Sequence, residues 1–244
     1  MKSITIGVAG RIVEVRAQYS RTFHACRDFA VEGRPDFSVQ CTLADYEKEA
    51  AAYEAEFHCE APSNITLEMY SMLRKVSEGL IDYGAVLMHG AVVAVSGQAY
   101  MFTCKSGIGK TTHIQKWLKR LPDAFVVNGD KPFIRFPEGD APPLACGSPW
   151  AGKENLYTNA MVSLKSIILM ERAEENHIEP ISFLQAFPTL LQQVYRPDDE
   201  EKMRKTLRLI QRLNGAVSFW RFRCNNFKDD CFDVVSSALI KGQS

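Results

Sequence analysis

The first third of the chain alternates short apolar runs with polar breaks, a pattern typical of strands joined by turns. Residues 3–8 and 11–16 alternate apolar and polar positions on either side of an Ala-Gly-Arg break, which predicts a β-hairpin. A short helix is expected over residues 20–29, with Ser20 as its capping residue, and residues 36–42 have the composition of a strand. The pattern therefore predicts a small α+β segment.

Two longer helices are expected after these strands. Thr42 and Asp45 have the spacing of a capping box at the start of an Ala- and Glu-rich stretch, whose charges suit a solvated surface. The next helix should begin at Asn64 or Thr66 and continue to about Asp82. Its apolar stripe is expected to consist of Leu67, Tyr70, Leu73 and Leu80.

The apolar pattern becomes denser after Tyr83. Residues 85–90, 91–96 and 99–104 are three apolar, β-branched runs with short breaks, and Gly97 lies where a tight hairpin would turn. A glycine-rich stretch follows, and after it comes an amphipathic pattern with the spacing of one helix face. That face consists of Ile114, Trp117, Leu118 and Leu121.

The remainder of the chain adds strands and helices in an order that does not fit a simple βα alternation. A strand is expected at residues 124–130 with a hairpin partner at 131–136. Further expected elements are a strand and loop over 143–155, a buried strand over 164–172, helices over 182–196 and 198–213, a strand over 217–224 and a closing helix over 228–241. Because several strands adjoin without helices, we expect an α/β fold with a mixed, twisted β-sheet flanked by helices.

Composition narrows the class of protein. The 244 residues are 46% hydrophobic and 24% charged, with a formal net charge of zero, as in an ordinary globular protein. A neutral chain has no electrostatic reason to bind nucleic acid or a membrane surface, so neither is an expected partner. No apolar run approaches the ~20 residues that span a bilayer. The first residues are too short and interrupted for a signal peptide, which favours a cytoplasmic location.

The cysteines indicate neither a disulfide framework nor a metal site. There are seven, an odd number, and no two have the C-x-x-C spacing. Free thiols in a reducing compartment are therefore expected. Cys224 and Cys231 have no histidine close to them in the sequence, so we expect no cysteine-bound metal.

Residues 104–113, CKSGIGKTTH, have the pattern of a phosphate-binding loop between a strand and a helix. Gly107 and Gly109 would let backbone N–H groups turn toward phosphate oxygens, and the helix N-terminus would add partial positive charge. Lys110 would reach the β- and γ-phosphates, and the hydroxyl of Thr111 would bind Mg²⁺. The alternative is a plain glycine-containing helix cap. The predicted nucleotide-binding residues are Ser106, Gly107, Ile108, Gly109, Lys110, Thr111 and Thr112.

Asp130 is the candidate second half of this site. It ends the apolar strand that follows the loop helix, which is where P-loop enzymes hold the acid that binds magnesium. An aspartate at a strand end is more often a turn former. Behind a glycine loop, however, the metal-binding role is the stronger interpretation, with Thr111 and Asp130 as the Mg²⁺ ligands.

From about Asp82 to its C-terminus, the chain resembles the superfamily of HPr kinase/phosphorylase and phosphoenolpyruvate carboxykinase. It is most similar to the short, bacterial HPr-kinase-related proteins. The shared marks are a His-Gly pair on a strand before the loop, here His89-Gly90, the S-G-x-G-K-[ST] form of the loop, and Asp130 on the next strand. The resemblance implies a P-loop between strands of a mixed sheet, with His89 near the γ-phosphate or metal. A lone histidine on an apolar strand is otherwise a satisfied core residue.

The chain departs from the family pattern at two positions. Cys104 replaces the first glycine of the loop, which should leave the site intact because the phosphate contacts come from residues 107–111. HPr kinases carry two consecutive acids in the second motif, of which the first accepts the substrate's proton and the second holds magnesium. Here Gly129 precedes Asp130, so the usual general base is absent or supplied from elsewhere.

The candidates for a replacement base are Glu154 and His89. Glu154 lies in a Gly-containing loop, WAGKEN, that the family resemblance places near the transferred phosphate, and Lys153 beside it could clamp phosphate charge. The alternative for both residues is a solvated, charged turn. A general base contributes roughly 10²–10⁴-fold to a rate, so its loss would weaken catalysis without abolishing it.

The leading hypothesis is an HPr-kinase-like phosphotransferase that uses ATP and Mg²⁺. It would transfer a phosphoryl group to a hydroxyl of a peptide, a protein or a small alcohol, with Lys110, His89, Glu154 and Lys153 as the catalytic residues. The alternative is a nucleotide-binding regulatory protein that lost turnover with the first acid. A carboxykinase-like enzyme acting on a small acid is disfavoured, because the chain is too short for the substrate lobe of those enzymes.

The motifs divide the chain into two parts. Residues 1–82 form an N-terminal α+β segment without a recognisable motif, and we expect it to recognise the substrate. Residues 83–244 form the expected P-loop kinase core. The expected partners are a nucleotide and a hydroxyl-bearing substrate, and self-association is left open.

Overall fold

The structure is a computed structural model that describes residues 1–105 and 107–240. The chain divides into two compact units, Met1–Tyr83 and Gly84–Ser244. None of the helices within the described residues combines the length and the apolar character that crossing a membrane requires.

The N-terminal unit is a three-stranded sheet with two long helices. Its strands are β1 (Lys2–Val8), β2 (Arg11–Ala17) and β3 (Phe37–Gln40), in the order β1-β2-β3. Its helices are α1 (Ser20–Ala25), α2 (Leu43–Phe57) and α3 (Asn64–Ile81), with a single 3-10 turn at Arg27–Phe29. The predicted hairpin is confirmed, because β1 and β2 pair antiparallel along their whole length.

Two details of the N-terminal unit differ from the sequence-based expectation. Ser20 does not cap α1: Tyr19 is the N-cap residue and no side chain caps the helix. Tyr70 is 43% exposed and lies outside the buried face of α3. That face also carries the polar residues Glu68 and Ser71, which an apolar pattern cannot identify. The capping box at the start of α2 is confirmed.

Glu68 is a fully buried acid that joins α3 to the other elements of the unit. Its carboxylate accepts hydrogen bonds from the backbone N–H groups of Gln18 at 2.6 Å and Tyr19 at 3.1 Å. It also accepts from the hydroxyls of Thr22 at 2.5 Å and Tyr46 at 3.3 Å. Four donors compensate for burying the charge, so the role of Glu68 is structural.

The C-terminal unit is built around a nine-stranded mixed sheet. Its strands are β4 (Ala85–Leu87), β5 (Ala91–Val95), β6 (Gln98–Thr103), β7 (Phe125–Asn128), β8 (Phe133–Arg135), β9 (Leu144–Cys146), β10 (Met161–Arg172), β11 (His177–Ile181) and β12 (Ser218–Cys224). Its helices are α4 (Lys110–Arg120), α5 (Phe183–Gln193), α6 (Glu200–Gln211) and α7 (Cys231–Leu239). The sequence patterns had not indicated β11, a short strand that contains Pro180.

The long strand β10 is the centre of the sheet. It pairs parallel with both β6 and β12, and it pairs antiparallel with β9 at its N-terminal end. The order of strands is β4-β8-β9-β10-β6-β5-β7, with β12 joining β10 to β11. The prediction of a mixed α/β sheet with flanking helices is confirmed.

Helices cover both faces of this sheet. Met101 of β6 belongs to a core that includes Leu190 of α5 and Ile210 of α6. Its neighbour Phe102 belongs to a second core, which includes Trp117 of α4. Since successive side chains of a strand point to opposite faces, a central strand such as β5 is apolar at every position rather than alternating.

One hairpin prediction is confirmed and one is wrong. Val95 pairs with Gln98 across a two-residue turn, in which Ser96 and Gly97 have φ of 50° and 74° as the twist of a hairpin requires. By contrast, β7 and β8 do not pair: β7 lies beside β5 at the sheet edge, whereas β8 lies between β4 and β9. The physical reason is a side-chain turn at Asn128, which directs the chain out of the edge strand.

Candidate functional site

A glycine loop, residues 104–109, joins β6 to α4. Gly107 and Gly109 have φ of 82° and 108°, values that residues with a side chain rarely adopt. Gly109 is the N-cap residue of α4, so the first backbone N–H groups of an eleven-residue helix lie beside the loop. This combination suits an anion. Ser106, a predicted nucleotide-binding residue, lies outside the described residues.

Two side chains from distant parts of the chain hold the loop. The Arg172 guanidinium donates to the Gly107 carbonyl at 2.9 Å, and Nδ2 of Asn226 donates to the Gly109 carbonyl at 3.0 Å. A Cβ on Gly109 would collide with the Asn226 amide nitrogen, which explains the glycine at this position. No sequence signal indicated either residue, because each lies more than sixty residues after the loop.

The glycine loop, Arg172 and Asn226 lie at the carboxyl ends of three neighbouring strands of the sheet. Arg172 is the last residue of β10, and Asn226 follows the end of β12. Because β6, β10 and β12 are parallel, the segments that follow them leave the sheet at the same end. In α/β sheets, ligands bind at the carboxyl ends of the strands.

His89 lies at the same end of the sheet, two residues before β5. Its backbone N–H donates to the Gln193 carbonyl at 2.7 Å, and its carbonyl accepts from the Thr103 hydroxyl at 2.8 Å. Gly90 follows it because a Cβ there would collide with Met101. Two hydrogen bonds and the close packing at Gly90 therefore hold the backbone of His89 in place.

The structure brings His89, Lys110 and Asp130 together. Nε2 of His89 lies 3.2 Å from Nζ of Lys110 and 3.3 Å from Oδ1 of Asp130. The same nitrogen cannot serve both neighbours at once. Without a proton it accepts from the Lys110 ammonium, and with a proton it donates to the carboxylate.

The carboxyl of Asp130 favours its ionised form. Burial would raise its pKa, but the hydrogen bond from His89 and the charges of Lys131 and Lys110 outweigh it. The pKa of Asp130 therefore lies below its ordinary value. Its side chain is still 30% exposed, which leaves the carboxylate open to a ligand.

Asn128, which is fully buried, shapes the turn that carries Asp130. Its Oδ1 accepts from the backbone N–H groups of Asp130 at 2.9 Å and Lys131 at 2.7 Å. Its Nδ2 donates to the Ser148 hydroxyl at 3.0 Å and to the Trp150 carbonyl at 3.3 Å. One amide thus joins the Asp130 turn to the loop that follows β9. Sequence reasoning missed this residue, which read only as the end of an apolar strand.

The loop over residues 150–156 packs against Gly129 and Asp130. The backbone N–H of Gly129 donates to the Leu156 carbonyl at 2.8 Å, and a Cβ on Gly129 would lie 3.3 Å from the same oxygen. Gly152 has φ of 73°, and a Cβ there would lie 2.8 Å from the Cβ of Asp130. Atoms of Leu156 and Ala151 therefore fill the space beside Gly129.

Lys153 and Glu154 lie in the exposed turn of this loop. Within the described part of the chain, neither side chain makes a hydrogen bond or an ion pair. The turn itself is adjacent to Asp130 through Gly152. The roles predicted for Lys153 and Glu154 in phosphate binding and catalysis stay predictions.

Cys104, at the position of the missing glycine, is buried beside Lys110. Only 3% of the residue is exposed. Burial raises the pKa of its thiol above the ordinary value, although the neighbouring Lys110 ammonium opposes this shift. Cys104 is therefore a neutral thiol that packs beneath the lysine.

The first turn of α4 carries the two predicted hydroxyls. Thr111 is half-buried and Thr112 is exposed. Both follow Lys110 directly at the helix N-terminus. Their predicted contacts with nucleotide and metal stay predictions.

Cys224 and Cys231 have no histidine close to them in the sequence, but they have one close in space. His113 of α4 lies with them in one buried cluster, whose ligand atoms are all within 4.8 Å of one another. The three residues are far apart in sequence and meet only because α4 and α7 pack on the same face of the sheet. Spacing along the chain could not reveal the cluster.

Comparisons with known proteins give little beyond these observations. No protein-family model and no curated protein sequence matches the chain. Among solved structures, the HPr(Ser) kinase/phosphatase from Coxiella burnetii is similar at 12% identity, over 52% of this chain and 90% of that one, with a TM-score of 0.30.

Proposed function

We propose that the chain is an ATP- and Mg²⁺-dependent kinase that transfers a phosphoryl group to a hydroxyl. The observation that carries this proposal is the contact of His89 with both Lys110 and Asp130 beside the glycine loop. It joins a cation, an ionised acid and a proton-accepting nitrogen at a helix N-terminus. Phosphoryl transfer needs these groups and little covalent chemistry from the protein.

Residues of the glycine loop and α4 would bind different parts of the nucleotide. Backbone N–H groups at Gly107, Gly109 and the start of α4 would bind phosphate oxygens, and Arg172 and Asn226 keep the loop in shape. Lys110 is 8% exposed. Its ammonium would extend from its place beside His89 toward the β- and γ-phosphates.

The donor set fits magnesium. Mg²⁺ prefers oxygen ligands and is usually bound by one or two protein groups together with phosphates and water. The ionised Asp130 and the Thr111 hydroxyl would supply those groups. When bound, Mg²⁺ would neutralise charge on the β- and γ-phosphates.

His89 is the better of the two candidates for the proton acceptor. Its Nε2 already lies within reach of a donor and an acceptor, whereas Glu154 is exposed and makes no hydrogen bond to a described residue. When Nε2 takes the hydroxyl proton of the substrate, the Asp130 carboxylate beside it would stabilise the imidazolium. The chain thus has a candidate base although Gly129 replaces the usual acid.

One observation favours the second candidate, a nucleotide-binding regulatory protein without turnover. Backbone of residues 150–156 fills the space beside Gly129, so no side chain there receives the substrate's proton. Such a protein would bind Mg·ATP through the same loop and release it unchanged.

The partners and location follow from the same proposal. A nucleotide and a hydroxyl-bearing substrate would be the ligands of a cytoplasmic enzyme, and the unit Met1–Tyr83 would recognise the substrate. Carboxykinase chemistry on a small acid is not needed to explain the site.

Calorimetry with ATP, with and without Mg²⁺, tests the nucleotide site. Wild-type protein should bind Mg·ATP, and Asp130→Asn should weaken binding only when Mg²⁺ is present, because the carboxylate acts through the metal. Asp140→Asn, an exposed acid of the same unit, is the matched control. Equal binding by wild type and Asp130→Asn would contradict the assignment. Release of ADP with a hydroxyl acceptor then separates the kinase from the regulatory protein.

A further inference from the structure

A buried pair of cysteines lies behind the glycine loop. Cys224 ends β12 and Cys231 begins α7, and their sulfur atoms are 3.7 Å apart. Both are free thiols, and they are 3% and 0% exposed. We call these two residues and His113 the dithiol site. Nothing in the proposed kinase chemistry uses it.

The hydrogen bonds of His113 argue against a metal at this site. Nδ1 of His113 lies 3.3 Å from Sγ of Cys231, and Nε2 accepts from the indole N–H of Trp117 at 3.0 Å. An indole nitrogen only donates, so the proton of the neutral imidazole must sit on Nδ1, facing the sulfur. A metal-bound histidine instead donates its other ring N–H to an acceptor. The imidazole is thus arranged as a donor to sulfur.

Cys231 is the more reactive of the two thiols. The hydrogen bond from Cys224 and, after it, the contact with His113 lower the pKa of Cys231, although burial opposes them. The same hydrogen bond, together with burial, raises the pKa of Cys224. In the reduced protein Cys231 donates its proton to Asn226. It loses that proton more readily than Cys224 does, and it attacks an oxidant once the proton has left, while Cys224 keeps its own proton until the second step.

Asn226 connects the dithiol site to the glycine loop. Its Oδ1 accepts from the Cys231 thiol at 3.3 Å while its Nδ2 donates to the Gly109 carbonyl at 3.0 Å. The first contact is favourable only while Cys231 carries its proton, since a carboxamide oxygen repels a thiolate. The Asn226 amide would therefore lose its hydrogen bond to Cys231 whenever that sulfur loses its proton.

We propose that hydrogen peroxide oxidises Cys224 and Cys231 to a disulfide. This disulfide weakens the hydrogen bond between Asn226 and the glycine loop, and nucleotide binding becomes weaker as a result. The effect on nucleotide rests on the proposed function, whereas disulfide formation does not. Both sulfurs are buried, so the oxidant must be small and uncharged, as hydrogen peroxide is. Larger disulfides such as oxidised glutathione would be excluded.

The chemistry balances in two steps. The Cys231 thiolate attacks one oxygen of the peroxide, the O–O bond breaks, and Cys231 becomes a sulfenic acid while hydroxide leaves. The Cys224 sulfur then attacks the Cys231 sulfur, an S–S bond forms, the S–O bond breaks, and water leaves with the Cys224 proton. The hydroxide takes up the proton that Cys231 released on forming its thiolate, so two thiols and one peroxide give one disulfide and two waters.

The consequence for the loop follows from the lost proton. Cys231 in a disulfide has no S–H, and the sulfurs must approach to about 2.05 Å. Oδ1 of Asn226, a half-buried residue, then loses the Cys231 donor, which favours reorientation of the amide toward another donor. The bond from Nδ2 to the Gly109 carbonyl weakens as a result.

Mass spectrometry of the full-length protein tests the disulfide. After hydrogen peroxide and alkylation under denaturing conditions, a peptide pair joining Cys224 and Cys231 should be found with two hydrogens missing. Cys59→Ser removes the exposed thiol and should leave this result unchanged. Oxidised glutathione should not produce it. Free Cys224 and Cys231 after peroxide, or a Cys231 sulfinic acid alone, would overturn the proposal. So would one bound zinc per chain that Cys231→Ser abolishes.

Calorimetry with Mg·ATP tests the connection to the loop. Oxidation should weaken binding about fivefold, the effect of one lost hydrogen bond of about 1 kcal/mol, and a dithiol reductant should restore it. Asn226→Ala should bind as weakly as the oxidised protein and respond to peroxide no further. Unchanged affinity after full disulfide formation, or a persisting response in Asn226→Ala, would overturn the connection. If reduced wild-type protein does not bind Mg·ATP, the proposed function fails while the mass result stands on its own.

Discussion

Nζ of Lys110 lies 3.2 Å from Nε2 of His89, a residue twenty-one positions earlier in the chain. The lysine begins α4 and the histidine precedes β5, so the contact joins the helix terminus to a neighbouring strand. In the proposed enzyme, nucleotide binding would draw the ammonium toward phosphate and leave Nε2 free to accept a proton. Binding and proton transfer would then be linked through this pair.

Replacing Lys110 by methionine should weaken Mg·ATP binding by roughly ten- to a hundredfold, or about 1.4–2.8 kcal/mol. The reason is that the charge-assisted bond to phosphate is lost while the apolar stem is kept. Lys119→Met, an exposed lysine of the same helix, is the control. Calorimetry with both variants measures the difference. Equal affinities would show that Lys110 does not face the phosphates.

The two candidate bases can be separated by paired substitutions. His89→Gln should lower the rate of phosphoryl transfer by roughly 10²-fold or more, because the proton acceptor is lost. Glu154→Gln should have a smaller effect, since its carboxylate is exposed and has no hydrogen-bond partner among the described residues. Single-turnover ADP release measures both rates. A larger loss in Glu154→Gln than in His89→Gln would return the role to Glu154.

Gly152→Ala should displace the Asp130 carboxylate without changing any charge. A Cβ at this position would lie 2.8 Å from Cβ and 3.0 Å from Cγ of Asp130. Mg·ATP affinity should fall about tenfold, roughly 1.4 kcal/mol. The matched control is Gly139→Ala, because Gly139 also has a positive φ of 69° but has open space around it. If both variants bind equally, the packing of Gly152 on Asp130 is irrelevant to the site.

Cys104→Gly should leave Mg·ATP affinity within about tenfold of wild type, or ~1.4 kcal/mol. The thiol is buried and neutral beneath Lys110, and it is not expected to contact phosphate. Thermal unfolding should show a lower melting temperature, because glycine is more flexible and the buried side chain is lost. An affinity gain far above tenfold would mean that Cys104 distorts the glycine loop.

Asp45→Asn should destabilise the N-terminal unit near neutral pH and much less in strong acid. Burial would raise the pKa of Asp45, but hydrogen bonds from Thr42, Lys75 and Arg74 lower it well below its ordinary value of 3.8. A carboxyl with a depressed pKa stabilises the fold above its unfolded pKa, and the contribution is lost as the pH falls through the folded pKa.

Urea unfolding at pH 7 and in acid measures this effect. The expected loss at pH 7 is on the order of 2 kcal/mol, because the substitution leaves charged partners of a largely buried acid unsatisfied. Glu47→Gln, an exposed acid of the same helix, should change little at either pH. The same destabilisation at both values of pH would show that the ion pairs with Asp45 do not supply its stability.

The parts of this protein that sequence could predict are those determined by neighbouring residues. Ser96-Gly97 gave the hairpin because a two-residue turn requires positive φ, and Ile114 and Trp117 gave α4 because their spacing matches one helix face. The turn at Asn128 could not be predicted. Its side-chain amide donates hydrogen bonds to Ser148 and Trp150, which lie about twenty residues away. The turn held by these bonds directs the chain away from β7, so that β8 pairs elsewhere.

The candidate site shows the same division. Lys110 and Asp130 followed from local patterns, and both lie against His89 in the structure. Arg172, Asn226 and the meeting of His113 with two cysteines depend on which strands become neighbours. No local pattern carries that information, because the order of strands is set by packing across the whole sheet.

The two residues that hold the glycine loop have a consequence for how the protein is made. A ribosome completes the loop long before it adds Arg172, and it adds Asn226 later still. A nascent chain would therefore carry the complete motif with no support for its backbone. We expect such a chain not to bind nucleotide until β12 and the residues that follow it have been added and have folded against the loop.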